Sequence, residues 1–399
     1  MRSFARSWTG RVRSRYFVVS LAAVSLVSGL ALFGQSPPTN ESSSNTQDRV
    51  NQRDWWPTKG SIPMEGFAGA KACSECHAEK SGTQANTPMA KAALKIGARA
   101  PDREFPLAAL ELGTYQYQIS SIHRRPTMVV SSGKQSVAAT IAWIFGLGVH
   151  GETYILEKDG AFYESQVSNF AGLHGMALTP GHVQVEAGNL KGALGERLST
   201  SGAVRCFGCH TTYSSTSSKF GPEHAVAGVH CEACHGPGLK HVNAMRAGQT
   251  EEGMIAIFNP AKLSPAESVD FCGACHRTTL DVVTSAEAYG PINVRFQPYR
   301  LEKSRCWGTN GDGRLTCVAC HDPHVPLVRT ASFYDQRCLE CHAATSGTSP
   351  KDASAPAICP VATANCTSCH MPKSEVSEMH AKFTDHFIRI VRAGEPYPN

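Results

Sequence analysis

Seven times along the chain a cysteine is followed three residues later by a second cysteine and then at once by a histidine. The copies are Cys73/Cys76/His77, Cys206/Cys209/His210, Cys231/Cys234/His235, Cys272/Cys275/His276, Cys317/Cys320/His321, Cys338/Cys341/His342 and Cys366/Cys369/His370. With 16 cysteines in 399 residues, chance would supply well under one copy. Zinc sites also use C-x-x-C, but they need a second ligand pair at a regular distance. Seven pairs leave a remainder when matched into four-cysteine sites, and zinc gives no reason for a histidine after each pair. A disulfide framework has no reason to group its cysteines three apart. The repeat reads instead as c-type haem attachment. Two thiols add to the two vinyl groups on one porphyrin edge. The two residues between them let both sulfurs reach that edge, and the following imidazole lies under the ring to bind iron.

The spacing of the copies divides the chain. From Cys73 to Cys206 is 133 residues, whereas the later first-cysteine intervals are 25, 41, 45, 21 and 28. No ordinary core can be built from segments that short, so haems are expected to form the core there, wrapped by short helices and turns. The long interval differs. Tyr115–Ser120, Thr127–Ser132, Val137–Phe145, Thr153–Lys158 and Ala161–Ser168 are rich in Tyr, Val, Ile and Thr. Asp159-Gly160 between two of these runs is a hairpin signal. Helical patterning is read at 88–97 and 375–392. The expected fold is mainly α with extensive irregular loops packed around seven c-type haems, with a small antiparallel β insert between the first and second motifs. The expected divisions are a leader or anchor at 1–36, a linker at 37–70, a first-haem segment at 71–110, a β-rich insert at 111–200 and a six-haem domain at 201–399.

Arg2, Arg6, Arg11, Arg13 and Arg15 precede an uncharged apolar run from Phe17 to Phe33. These are the two opening regions of a secretory signal. Cleavage after Ala31, cleavage after Ser36 and retention as an uncleaved anchor remain open; the run sits at the short limit for a membrane span. Each reading exports the rest of the chain, and the expected location is the periplasm. The polar stretch 35–62 reads as a tether, with Trp55 and Trp56 docking on the folded body or touching a membrane surface. The formal net charge is +5, and the five leader arginines account for all of it. The remainder is neutral, and haem propionates make it more acidic, so nucleic acid is not an expected partner.

Seven irons have seven further axial positions once the motif histidines are used. Ten histidines remain: His123, His150, His174, His182, His224, His230, His241, His324, His380 and His386. In CHDPH, His324 follows His321 by three residues. That length spans at most about 10–11 Å, whereas imidazoles on opposite sides of one iron need their Cα atoms about 12–13 Å apart. His324 is therefore expected on a neighbouring haem. His241, after the Gly236-Pro237-Gly238 turn, is a second candidate. His380 and His386 are read about 240° apart around a helix, serving two haems. One of His224 and His230 is expected to be a ligand. His123, His150, His174 and His182 lie in the β region and read as structural, though one could reach a haem. Met89 in NTPMAKAAL is expected to bind the first haem, raising its potential, with core packing as the alternative. Cys306 and Cys359, each shortly before a motif, are expected to pair in an oxidising compartment.

GVHCEACHGPGLKH, LTCVACHDPHVP, SFYDQRCLECH, NCTSCHMPK and HAKFTDHFIRI resemble periplasmic multihaem cytochromes c. The group is related to the tetrahaem cytochrome that accepts electrons from hydroxylamine oxidoreductase. The hydroxylamine oxidoreductases, pentahaem nitrite reductases and octahaem tetrathionate reductases are more distant. FGLGVHGETYILEKDGAFYESQVSNF followed by LTPGH is similar to the non-haem insert of that cytochrome-like subgroup. The resemblance covers about 70–392. It implies that the two ligand-donating loops carry His324 and His241, and that the final TDH places His386, with His380 earlier. His230, directly before Cys231, is less typical.

Two functions follow. Haems packed this densely, with both axial sites filled, make an electron carrier between a membrane quinol-linked donor and a terminal periplasmic or surface acceptor. No catalytic residue is assigned on that reading. The alternative is a reductase or oxidoreductase of a small nitrogen or sulfur compound at one open-face haem, the first haem beside Lys91 being the candidate if Met89 does not close it. The pentahaem nitrite reductases use C-x-x-C-K there; all seven motifs here end in His.

Overall fold

The computed structural model describes residues 64–97, 105, 109–147, 149–186, 188–216, 219–284, 290–307, 315–342, 359–392, 394–395 and 397–398. These belong to a compact unit, Ser44–Asn399. The apolar leader, most of the linker, and Trp55 and Trp56 lie outside the described residues.

The largest element is a nine-stranded antiparallel sheet. Its strands are β1 (Ala93–Lys95), β2 (Leu110–Leu112), β3 (Tyr115–Ile122), β4 (Arg125–Ser132), β5 (Gln135–Phe145), β6 (Gly151–Lys158), β7 (Ala161–Phe170), β8 (Gly175–Leu178) and β9 (Gly195–Arg197). β2 to β8 pair in chain order, β1 adds to β5 and β9 adds to β7. Chain order follows from the connections. Ile122 pairs with Arg125 and Lys158 with Ala161, leaving two-residue loops. His123, Arg124, Asp159 and Gly160 in those loops all have φ between 51° and 72°. Left-handed backbone at both loop positions matches the right-handed twist of the strands.

β3 shows the expected alternation. Tyr115, Tyr117 and Ile119 point into a core with Met128, Val130, Ile141, Ile144, Tyr154 and Leu156, while Gln116 and Gln118 are exposed. The end of β5 is buried on both faces. Ile144 faces that core, and Trp143 and Phe145 face a second cluster with Ala93, Ile155 and Phe207. Phe207 lies within the second motif, on the helix Thr200–His210. Its ring meets Trp143 and Phe145 edge-on, each at 5.0 Å. The sheet therefore buries one face against motif-bearing chain.

This overturns the expectation of a mainly α fold with a small β insert. The sheet dominates, and the motif-bearing helices are only 4 to 12 residues long. The β-rich runs were visible, but the three- and four-residue edge strands are too short to show alternation. β1 was among the residues read as helical at 88–97. The second helical reading, over 375–392, also fails. Lys373–Val376 and Ala381–Thr384 form a hairpin, and residues 385–392 have no helix or strand. Apolar residues at Val376, Met379, Phe383, Phe387 and Ile390 imitate helical spacing. The left-handed backbone of His380, φ 48°, instead turns the chain. His386 is thus on a segment without regular structure, and the helical angle between it and His380 does not apply.

A cavity lined by all seven motifs

Each motif is built as one helical turn. The His77 N–H donates to the Cys73 carbonyl at 2.9 Å and the His321 N–H to the Cys317 carbonyl at 3.0 Å. A turn of this kind puts residues i and i+3 on one face, so both sulfurs point the same way and the histidine follows beside them. Motifs two, four and six close longer helices, Thr200–His210, Pro265–His276 and Ala331–His342. Motifs three and seven are short helices in themselves, Cys231–His235 and Cys366–His370.

Acidic side chains join motifs to one another. Glu232, inside the third motif, accepts from the Ala68 and Gly69 N–H groups at 2.7 and 2.8 Å and from the Gly238 N–H at 2.7 Å. It thereby ties the start of the first motif's helix to the third. Asp335 accepts from the Asn365 and Cys366 N–H groups, both at 2.8 Å, capping the seventh motif's helix from the sixth. Those two N–H groups hold the Asp335 carboxyl below its usual range. Neither link was read from the sequence, and only an acid at an ordinary helix position hints at it.

The cysteines and histidines of all seven motifs line one cavity of about 4530 Å³. A single cofactor-sized pocket is about 300–1,000 Å³, so this cavity has room for several. Within it, three pairs of imidazoles face each other. His77 and His241 have ring centres 6.5 Å apart, His235 and His324 6.1 Å, and His321 and His386 6.2 Å. An iron bound by two imidazoles, with bonds of about 2.0 Å and roughly 1.1 Å from nitrogen to ring centre, separates the ring centres by about 6.2 Å. The gap in each pair fits a bis-histidine iron.

The outer nitrogens agree with that fit. Metal-binding histidines usually engage their second ring nitrogen in a hydrogen bond that orients the ring. Here Nδ1 of His210, His235, His241 and His370 lies 2.8–3.0 Å from the carbonyls of Ala92, Phe258, Gly253 and Arg389. Nδ1 of His386 lies 3.1 Å from the Thr384 carbonyl, and Nδ1 of His324 lies 3.0 Å from Asp322 Oδ1. Nε2 is left to face the cavity. Burial pushes the His386 imidazole down to about 4 and lowers those of His235, His276 and His321. These rings are neutral near pH 7, the form that binds a metal.

The remaining candidates are not in the three facing pairs. Met89 and His230 line the cavity. The ring facing His77 is that of His241, and His230 Nε2 lies 3.0 Å from the Ala227 carbonyl. His224 is exposed beside Glu223. His380 packs on Phe170, with ring centres 4.9 Å apart. His123 and His174 sit in exposed left-handed turns. His182 has a hydrogen-bond partner at each ring nitrogen, Gln166 and Glu164. His150 lines the cavity against Phe383. Cys306 and Cys359, expected to pair, both line the cavity.

Neighbouring motifs approach one another at their attachment cysteines. The thiols of Cys73 and Cys231, of Cys272 and Cys317, and of Cys338 and Cys366 lie close enough to shift one another's pKa. Cys209 Sγ lies 3.6 Å from the Ala274 carbonyl of the fourth motif. Cys320 lies close enough to Cys338 to raise its thiol pKa further, beyond the larger effect of burial. With the facing histidines, these contacts connect motif one to three, three to five, five to four, four to two, five to six and six to seven.

Residues 165–236 match the family described as cytochrome c554 and c-prime. The multiheme cytochrome MtrA of Shewanella baltica (strain OS185) is 26% identical over 207 residues, 49% of this chain and 53% of that protein. The chain thus spans about half the length of this curated relative. The outer cell wall cytochrome OcwA matches 53% of this chain and 37% of its own, at 16% identity and a TM-score of 0.30. No described helix is long and apolar enough to cross a membrane. The matches to c554-type and MtrA sequences, like the repeated motif and the cavity its copies line, support the reading of the chain as a multihaem c-type cytochrome.

Proposed function

We propose that the chain is a heptahaem electron carrier of the periplasm. The observation that carries the reading is the cavity lined by all seven motifs, with attachment cysteines of neighbouring motifs close to one another. Haem supplies a one-electron iron couple at each motif. The chain's own residues do the rest. Paired cysteines anchor each group, and carbonyls at Nδ1 orient the imidazoles. His241, His324 and His386 close the far sides of the first, third and fifth sites, and Met89 then packs beside the first site. The branched order of contacts lets an electron entering at one end reach any other motif. The partners on this reading are a quinol-linked donor at the membrane and a terminal acceptor, with the leader exporting or tethering the chain. The match over 165–236 supports kinship with the tetrahaem cytochrome that accepts electrons from hydroxylamine oxidoreductase.

Intact mass of the purified, exported protein counts covalent haems; seven are expected, and fewer would break the heptahaem reading. Electron paramagnetic resonance of the oxidised protein is expected to show low-spin iron with both axial positions filled. A high-spin fraction of about one in seven that binds nitrite, hydroxylamine or cyanide would replace the carrier with the open-face reductase.

A further inference from the structure

His386 is held on a segment without regular structure, yet its ring stands 6.2 Å from that of His321. Something outside the segment must fix it. The residue before it, Asp385, is completely buried, as is Arg300 on the helix Gln297–Glu302. Arg300 grips Asp385 with both prongs, Nε to Oδ1 and Nη2 to Oδ2, each at 2.8 Å. Its Nη1 donates to the Pro398 carbonyl at 2.8 Å and to Asn293 Oδ1 at 3.3 Å. The guanidinium is therefore anchored on the side away from His386 as well. On the near side, Asp385 Oδ1 accepts from the Phe387 N–H at 3.0 Å, and Oδ2 accepts from Arg389 Nη1 at 2.7 Å. Ser304, four residues after Arg300, donates to the His386 carbonyl at 3.1 Å and accepts from the Ile388 N–H at 2.8 Å.

The same segment serves a second motif. The Arg389 carbonyl accepts from His370 Nδ1 at 3.0 Å, and the Arg389 N–H donates to the His370 carbonyl at 3.2 Å. A shift of residues 385–389 would move the ring that faces His321 and the carbonyl that orients His370 together.

We propose that Arg300 is a positioning residue: through its two-pronged grip on Asp385, and with Ser304, it sets the His386 ring as the axial partner of the fifth haem and the His370 ring as that of the seventh. The inference rests on the reading of His386 as an axial ligand. A planar, rigid fork suits the task, because it fixes the direction of a carboxylate where an ammonium fixes only its distance.

The test compares His386→Ala, Arg300→Lys and Ser304→Ala in the fully haem-loaded protein by quantitative electron paramagnetic resonance, with far-ultraviolet circular dichroism alongside. His386→Ala is expected to convert one haem per chain from low-spin to high-spin. If it does not, the axial reading of His386 fails, whatever Arg300 does. Arg300→Lys is expected to keep the wild-type circular dichroism, lose low-spin signal at the same haem and broaden or shift the signal of a second. A folded Arg300→Lys protein with the wild-type low-spin spectrum overturns the proposal, since a merely structural ion pair would leave the spectrum unmoved. If Arg300→Lys does not fold, Ser304→Ala decides, because it leaves the buried pair intact. A partial shift of the fifth haem to high-spin supports the proposal, and an unchanged spectrum overturns it.

Discussion

Replacing Glu232 by Gln tests how the first and third motifs are held together. The side chain is 4% exposed and receives three backbone N–H groups. Oε1 takes the Ala68 and Gly238 amides, and Oε2 takes the Gly69 amide. Gln keeps a carbonyl oxygen for the first two but sets an NH2 group against the Gly69 N–H. One charge-assisted bond is lost, about 1.5–3 kcal/mol, and the Gly69 N–H, on an exposed residue, recovers part of this from water. The local cost is therefore about 2 kcal/mol, roughly a 30-fold rise in opening. Hydrogen exchange of the peptide covering residues 64–74 reads this opening directly. Exchange in Glu232→Gln is expected to rise by that order at residues 68–69 while peptides from β3 to β5 stay protected. A rise below about threefold would show that the carboxylate does not hold the two motifs together, and the reasoning would be refuted.

Phe207→Ala should cost about 3–5 kcal/mol through lost burial and a residual cavity between the second motif and the sheet, read from a denaturant midpoint; Phe207→Leu should cost less. Asp335→Ala should destabilise the seventh motif's helix by about 1–2 kcal/mol. The pH dependence has a definite sign. The Asp335 carboxyl is held below its ordinary 3.8, so its contribution is full above pH 3.8 and fades as pH falls through the lower folded value. The gap between wild type and Asp335→Ala in an acid titration should therefore close below pH 3.8 and not widen. Cys366→Ser with Cys369→Ser should remove one haem from the intact mass without altering exchange in the sheet, because the seventh motif lies outside both sheet cores.

What could be read without the structure was local. The seven C-x-x-C-H copies specify attachment chemistry because both thiols and the imidazole must serve one porphyrin edge within five consecutive residues. Asp159-Gly160 specifies a hairpin because left-handed backbone is cheap there. The reach argument in CHDPH, too, needs only the length of three residues. Tertiary structure decided the rest. His77 meets His241, His235 meets His324, and Arg300 meets Asp385 across separations of 85 to 164 residues. No spacing rule spans such distances, since each pairing depends on how every intervening turn closes. The helical pattern at 375–392 misled for a related reason. Apolar residues recur at helical intervals there, but the strand pairing of Lys373–Val376 with Ala381–Thr384 and the buried Asp385 override local preference. The size of the sheet was hidden as well, because its short outer strands gain their order only from the neighbours they pair with.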